Sequence, residues 1–469
     1  MVDYKLWPHQ KTIIEKAKNL NYFAIFAEVG TGKTLTTIEL LRYHYNKNKR
    51  VMKTLIVSPL IVTRNWVSEI EKFTNVPKEK YIRLEGSIAQ RAKQLEKHNG
   101  IAVVNYDSFV NKDFTKTVIE WKPEIIVLDE SHLCGNHSAQ RTKALLKVSE
   151  SMDKNGIRYI LTGTPISSNQ LNLWSQFYFL DHGKTLGSNF WAFRSNYFYA
   201  ISTMNQSTYK PINIFKPRPG IDKILKEKIS PITAVVKKQD CLELPPLVEV
   251  KIDVEMTPEQ SRLYKEMKRD FITFMGDKTV VASIALTKLL RLQQIASGFI
   301  KFEDGTTQSI PNNRTKALAD LLELIPPTQK VIVWSVFHDN YKAIAKVCQD
   351  LKIPFKEVHG LIPDAEKHIN LEAFKTDPTI RVLIGSPQAM GVGLNITEAS
   401  YSIWYSRNFS LVQDEQASAR NYRPGSEKHT KITRFDLVCP NTVDSLALEA
   451  IKNKQDIAQR ILSIPLDTL

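Results

Sequence analysis

Short apolar runs alternate with amphipathic stretches along most of this chain, and that alternation limits its fold more than any other feature. In the first half the runs are 22–27, 54–58, 101–105, 125–128 and 159–162; in the second they are 331–337, 355–358, 382–385, 401–405 and 432–438. They are β-branched and aromatic, and are bounded by Gly, Pro, Ser or Asp. Runs that are apolar at nearly every position, not at every second one, read as strands buried on both faces of a parallel sheet. Helical stretches such as 34–45 and 67–73 lie between them. Strand, helix, strand in repetition predicts an α/β fold with doubly wound sheets. The series breaks between 171 and about 313, where helix signals and aromatics take over. There Thr257-Pro258-Glu259-Gln260 forms a capping-box pattern with proline at the first helical position, and predicts a helix to about Met275. The expected organisation is an α/β lobe over 1–235, a linker and helical segment over 236–315, and a second α/β lobe over 316–469.

Composition narrows the partners. Lys plus Arg is 64 and Asp plus Glu is 49 in 469 residues, a formal charge of +15. This balance suits a polyanion, nucleic acid before an anionic membrane, although lysines on solvated faces give the same count. Cys134, Cys241, Cys348 and Cys439 are far apart, and none forms a C-x-x-C pair. They read as reduced thiols and exclude a disulfide framework or a zinc site. Residues 1–10 lack a signal-peptide core, and no stretch approaches the ~18 consecutive apolar residues of a membrane span. The expectation is a soluble, intracellular protein with no membrane partner.

The chemistry starts at residue 28. The strand 22–27 runs into Glu28-Val29-Gly30-Thr31-Gly32-Lys33-Thr34 and then a helix. Glycines let such a loop turn its backbone N–H groups onto a phosphate, beside a helix N-terminus that favours negative charge. Lys33 would reach the β- and γ-phosphates of ATP, and the Thr34 hydroxyl would ligate Mg2+. A plain glycine turn is the alternative. Ala27 stands where the first glycine of the usual G-x-x-x-x-G-K-[ST] pattern would be. A second strand, 125–128, ends in Asp129-Glu130-Ser131-His132. By itself such a pair is usually a solvated turn. Downstream of a phosphate loop it reads differently: Asp129 would hold Mg2+, and Glu130 would orient and deprotonate the attacking water.

The order of these segments resembles the superfamily-two helicases, and within them the SWI/SNF-type ATPases in their compact viral or bacterial form. A-x-x-G-x-G-K-T, then D-E-S-H, then Leu161-Thr162-Gly163-Thr164-Pro165 are similar to motifs I, II and III. Leu6-Trp7-Pro8-His9-Gln10 resembles the upstream segment whose glutamine reads adenine. Ser58-Pro59-Leu60 with Asn65, Trp66 and Glu69 resembles motif Ia, and Asn105-Tyr106-Asp107 motif Ib. In the second half, Leu244-Pro245-Pro246 and residues 260–264 resemble the branch's segment between lobes, and residues 290–295 its L-R-x-x-Q-type helix. Gly391-Val392-Gly393-Leu394-Asn395-Ile396 resembles motif V; Gln416-Ala417 with Arg420, Arg423 and Gly425 resembles motif VI. Motif VI departs from its family in ending Gly425-Ser426 and in carrying Asn421-Tyr422 before the second arginine.

The resemblance implies two RecA-like lobes joined by a partly helical middle. It implies an ATP site built from Gln10, Val29, Gly30, Thr31, Gly32, Lys33, Thr34, Gly393 and Gln416. Arg420 and Arg423, three apart on a helix and so on one face, would supply a cation to the γ-phosphate. Nucleic-acid contacts fall on Ser58, Arg64, Asn65 and Tyr106, and on Ser335, Ser386 and Thr397. These hydroxyls, amides and single cation suit phosphate and sugar, not base edges. Trp66 reads either as a stacking residue or as the core of an amphipathic helix. The leading expectation is a nucleic-acid-stimulated ATPase translocating on DNA, double-stranded and without sequence preference, with RNA as a further possible track. The rivals are a strand-separating DNA or RNA helicase, disfavoured by the lack of an evident wedge hairpin, and a non-enzymatic scaffold, disfavoured by the intact site residues. The cytoplasm of a bacterial cell or virus-infected host is expected in preference to a nucleus.

Overall fold

Two parallel sheets organise the chain, and both grow from the apolar runs. The computed structural model describes residues 4–452 apart from 61, 164–169, 206–209, 242, 278–281, 303, 391–393 and 408–409. The first sheet contains β1 (Tyr22–Ala27), β2 (Thr54–Ser58), β3 (Tyr81–Arg83), β4 (Ile101–Asn105), β5 (Ile125–Asp129), β6 (Ile157–Thr162) and, after an insertion, β9 (Thr233–Val236). Its order is β3-β4-β2-β5-β6-β1-β9, with every neighbour parallel. β2, β4, β5 and β6 are buried at every position. That explains their unbroken apolar sequences, since each buried Val, Ile or Leu contributes roughly 1.5–3 kcal/mol relative to exposure. The insertion holds β7 (Phe198–Asn205) and β8 (Lys210–Pro217), which pair with each other in a two-stranded sheet. This pair was not expected from the sequence.

The second sheet contains β10 (Leu247–Asp253), β13 (Lys330–Trp334), β14 (Phe355–Val358), β15 (Val382–Gly385), β16 (Ala399–Trp404) and β17 (Ile432–Val438). A small pair, β11 (Phe299–Lys301) with β12 (Thr307–Ser309), precedes β13. The large sheet runs β10-β17-β16-β13-β15-β14, again parallel throughout. The chain divides into one unit of residues 1–201 and 213–242 and another of 202–212 and 243–469.

The segment 236–315 is therefore not a free-standing linker. β10 pairs along its whole length with β17, from Leu247 opposite Ile432 to Asp253 opposite Val438. It is an edge strand with mostly exposed side chains, so it lacked the apolar run that marks its partners. The predicted capping box forms: Gln260 N donates to Thr257 Oγ1 at 3.2 Å and Thr257 N to Gln260 Oε1 at 3.1 Å. The helix it opens, Pro258–Asp277, and the next, Ala282–Ala296, share a buried cluster with Cys439, Val443 and Ala447. Arg314, 1% exposed, pairs with Asp444 and donates to the carbonyls of Ala296 and Leu437 at 2.9 Å each. Removing one partner of such a pair leaves an uncompensated buried charge. No described helix is long and apolar enough to cross a membrane.

Candidate active site and nucleic-acid-facing surface

The phosphate loop lies at the C-terminal end of β1, where parallel α/β sheets bind ligands. Gly30 and Gly32 have φ of 92° and 81°, the left-handed region where a side chain is strained. Gly32 is then the N-cap of α2 (Lys33–Asn48). A Cβ on Gly32 would lie 2.4 Å from Gln10 Nε2. That amide belongs to α1 (Pro8–Ala17) and braces the loop: Nε2 donates to Gly32 O at 3.1 Å, while Oε1 accepts from Trp7 N at 2.9 Å. Gln10, expected at the adenine, is thus 1% exposed and engaged at both ends. His9 Nε2 lies 2.8 Å from Thr31 O, and Thr31 Oγ1 donates to Glu28 O at 2.7 Å. Lys33 Nζ donates to Ala27 O at 2.6 Å and Glu28 O at 3.4 Å. A carbonyl accepts equally well from alanine or glycine, so the departure at Ala27 costs this contact nothing. Val29 and Thr34 are partly exposed on the same loop and first turn. Lys33→Ala is expected to abolish ATP turnover with thermal stability unchanged within a few degrees; wild-type ATPase in that variant refutes the site.

The acids arrive on β5, separated from β1 by β6 alone. Asp129 and Glu130 are 6% and 4% exposed. Burial, and then the charge of Glu130, push the Asp129 carboxyl up to about 6, while the Trp66 N–H and Lys33 pull it down. Glu130 has φ 55°, left-handed backbone for a residue with a Cβ. Such strain costs on the order of 1–3 kcal/mol and collects at functional sites. His132 Nδ1 lies 3.3 Å from Glu130 Oε2 and 3.1 Å from Thr162 Oγ1, which donates to the same carboxylate oxygen at 3.5 Å. Thr162 ends β6, so it and His132 flank the carboxylate that would receive a proton. Of the expected motif III, Thr164 and Pro165 lie outside the described residues. Among the described residues no three His, Cys, Asp or Glu could cage a metal. A hydroxyl and one carboxylate, Thr34 and Asp129, do suit Mg2+, which takes its other ligands from phosphates and water.

In the second unit Gln416 lies on the helix Leu411–Ser418, partly exposed. Arg420 and Arg423 fall beyond that helix, in turns, so they do not share a helical face as expected. Pro424 accounts for Arg423, because the residue before a proline is pushed out of the helical region; the helix has already ended at Ser418, before Arg420. Arg420 is 1% exposed; Arg423 is half-buried and donates to Leu394 O at 3.1 Å. The sequence reading missed the support beneath: Arg434 donates to Ser418 Oγ at 3.0 Å, and with Arg407 it pairs with Asp414 and Asp436. Gly393 lies outside the described residues.

The residues expected at nucleic acid divide. Arg64 is exposed on α3 (Val62–Phe73), with Asn65 partly exposed beside it. Ser58, Tyr106 and Ser335 are at most 2% exposed, and Thr397 and Ser386 are also buried. Ser58 Oγ donates to Pro59 O at 3.4 Å, and Ser335 Oγ shares a hydrogen bond with Ser406 Oγ at 2.8 Å. They sit at or beside strand ends, where close packing has turned their hydroxyls onto protein partners. Trp66 is 1% exposed and belongs to the core. The sequence reading missed Arg83, at the end of β3, and Arg91, on α4 (Ile88–Lys97). Burial and then the charges of Arg64 and Arg91 hold Arg83 below its ordinary pKa, so Arg83 lies close to both; it also pairs with Glu85. Arg83 reaches Thr63 Oγ1 at 3.5 Å; Arg91 donates to Asn105 Oδ1 at 2.6 Å and Ser108 Oγ at 2.8 Å. Only the fold could reveal this cluster, because residues 64, 83 and 91 come from three elements.

Comparison with known proteins identifies the family. The SNF2-related domain matches residues 14–301, and the helicase conserved C-terminal domain matches 313–425. An uncharacterized ATP-dependent helicase of Mycoplasma genitalium is 25% identical over 93% of this chain and 40% of its own length. Protein p41 of Acyrthosiphon pisum secondary endosymbiont phage 1 is 24% identical over 97% of both chains. The Sulfolobus solfataricus SWI2/SNF2 ATPase core in complex with dsDNA is 22% identical, over 98% of this chain and 94% of that one, with a TM-score of 0.44. The chain spans about two fifths of the length of the Mycoplasma relatives it matches. With a phosphate loop and paired acids on one parallel sheet, and a family model matching well over half its residues, the chain belongs to the SNF2-related family.

Proposed function

We propose that this chain couples ATP hydrolysis to movement along nucleic acid, with double-stranded DNA as the track. The observation that carries the reading is the pairing, within one sheet, of a complete phosphate loop with the buried Asp129–Glu130 pair; the same unit carries Arg64, Arg83 and Arg91, of which Arg83 pairs with Glu85. Thr34 and Asp129 would hold Mg2+, which when bound supplies charge neutralisation for the phosphates. Lys33 exchanges its loop carbonyls for the β- and γ-phosphates. Glu130 orients a water and accepts its proton as the water oxygen attacks the γ-phosphorus and ADP leaves. Arg423 or Arg420 supplies the further cation that this charge development calls for. Arg64, with Arg83 and Arg91 behind it, meets the phosphate backbone, which carries no sequence information and suits a moving contact.

The deciding experiment is steady-state ATPase with duplex DNA, single strands, forks and RNA, each across lengths. Stimulation that grows with duplex length supports translocation; a rate indifferent to every nucleic acid refutes the reading. Binding to duplex is expected to weaken steeply with salt and vary little with sequence. Arg64→Ala is expected to flatten the slope of log K against log salt by about 0.9, one phosphate contact on duplex DNA. An unchanged slope removes Arg64 from the track. The β7–β8 pair favours strand separation as a second reading, because two paired strands outside the main sheets can part a duplex. Release of a labelled strand from a fork, lost on deleting residues 200–215, would establish it.

A further inference from the structure

Asp129 is held from two sides by residues whose neighbours face the proposed track. Trp66 Nε1 donates to Asp129 Oδ2 at 2.8 Å, and the Tyr106 hydroxyl donates to the Asp129 main-chain carbonyl at 2.8 Å. Both aromatic side chains are buried, at 1% and 2% exposure, so neither can stack on a base. Each is nevertheless next to a cation of the arginine cluster. Trp66 lies on α3, two residues after Arg64 and three after Thr63, which receives Arg83. Tyr106 directly follows Asn105, which accepts from both Arg91 and Ser108. Two separate chains of contacts thus lead from the arginines to one residue. One ends on the side-chain oxygen and the other on the backbone.

We propose that Trp66 and Tyr106 are positioning residues through which phosphate engagement at Arg64, Arg83 and Arg91 sets the orientation of Asp129, so that nucleic acid stimulates hydrolysis by aligning this carboxylate. The proposal rests on the nucleic-acid-stimulated reading above and says how the stimulation reaches the site. Arg83 lies near Arg64 and Arg91 as well as its partner Glu85, so a phosphate arriving here would pull on α3, which carries Arg64, and on the end of β4, whose Asn105 holds Arg91. A buried carboxylate with one oxygen fixed by an indole cannot turn freely. A shift of α3 therefore becomes a rotation of Asp129.

Trp66→Phe removes the N–H and retains an aromatic ring; Tyr106→Phe removes one oxygen. Three readouts on the full chain test the idea: duplex affinity by fluorescence anisotropy, Mn2+ affinity by electron paramagnetic resonance with a non-hydrolysable ATP analogue, and kcat and KM with and without duplex. The expected result is duplex affinity within twofold of wild type, KM for ATP within threefold, and DNA-stimulated kcat at least tenfold lower. Addition of DNA should tighten Mn2+ binding in the wild type and fail to do so in Trp66→Phe. The double variant should fall short of the product of the single effects, because both act on one residue. Wild-type stimulation and wild-type Mn2+ response in both variants overturn the proposal, as does a loss of stimulation that only tracks a fall in melting temperature or duplex affinity. If the wild type itself shows no stimulation, the parent reading fails and this one with it. Stimulated wild type with unaltered variants refutes the coupling alone.

Discussion

Glu130→Gln is expected to bind ATP and leave it almost unhydrolysed. The substitution keeps the shape of the side chain and removes the carboxylate that would accept the water's proton. The surroundings support that role: His132 and Thr162 both approach Oε2, and the left-handed backbone at Glu130 aims the side chain at the expense of local strain. General-base contributions are typically about 10²–10⁴-fold, so turnover should fall by at least two orders of magnitude. Nucleotide binding should persist because Lys33, Thr34 and the loop N–H groups are untouched. Nucleic-acid affinity in the presence of ATP should hold or rise, since the bound state no longer turns over. Equilibrium nucleotide binding beside single-turnover hydrolysis checks this. Loss of ATP binding would make Glu130 a structural residue of the turn.

Arg423→Ala is expected to retain ATP and lose turnover by about 10³-fold or more, the scale of an arginine finger. The side chain is half-buried and donates to the Leu394 carbonyl at 3.1 Å. Arg420 differs. It is 1% exposed, and its backbone oxygen accepts from Ile396 N at 3.0 Å. Truncating so fully buried a side chain leaves a cavity, so Arg420→Ala should lower thermal stability as well as rate. Single-turnover hydrolysis with and without DNA, read beside melting temperature, separates the two. If DNA restores the rate of Arg423→Ala, the cation acts elsewhere. If both variants hydrolyse ATP at the wild-type rate and respond to DNA, neither arginine is the further cation.

Much of this was legible before any coordinates. A strand buried on both faces must be apolar at every position, so β1, β2, β4, β5 and β6 and their second-sheet counterparts were found to within a few residues. A strand at a sheet edge is under no such demand. β10 is mostly exposed and β3 only three residues long, and both were missed for that reason. The phosphate loop is a local object, spelled by consecutive residues, and needed no tertiary information. Pro424 could have warned that Arg423 would leave the helix. Nothing in the sequence could have shown that Trp66 spends its N–H on Asp129, because 63 residues separate them.

What the sequence determined by itself is everything encoded over short distances: buried strands, the glycine-bearing loop, the capping box at Thr257, and the two acids ending β5. Those patterns follow from backbone geometry and burial, which act residue by residue. What only the tertiary structure decided is which polar groups remain for a ligand. It buried Ser58, Tyr106 and Ser335 and gave their hydroxyls to the protein, and it left Arg64 outside. It also gathered Arg83 and Arg91 beside Arg64 from separate elements. The reason is that a hydrogen bond is satisfied by whatever lies within about 3 Å, and the order of strands in the sheet, not the order of residues in the chain, sets what lies there.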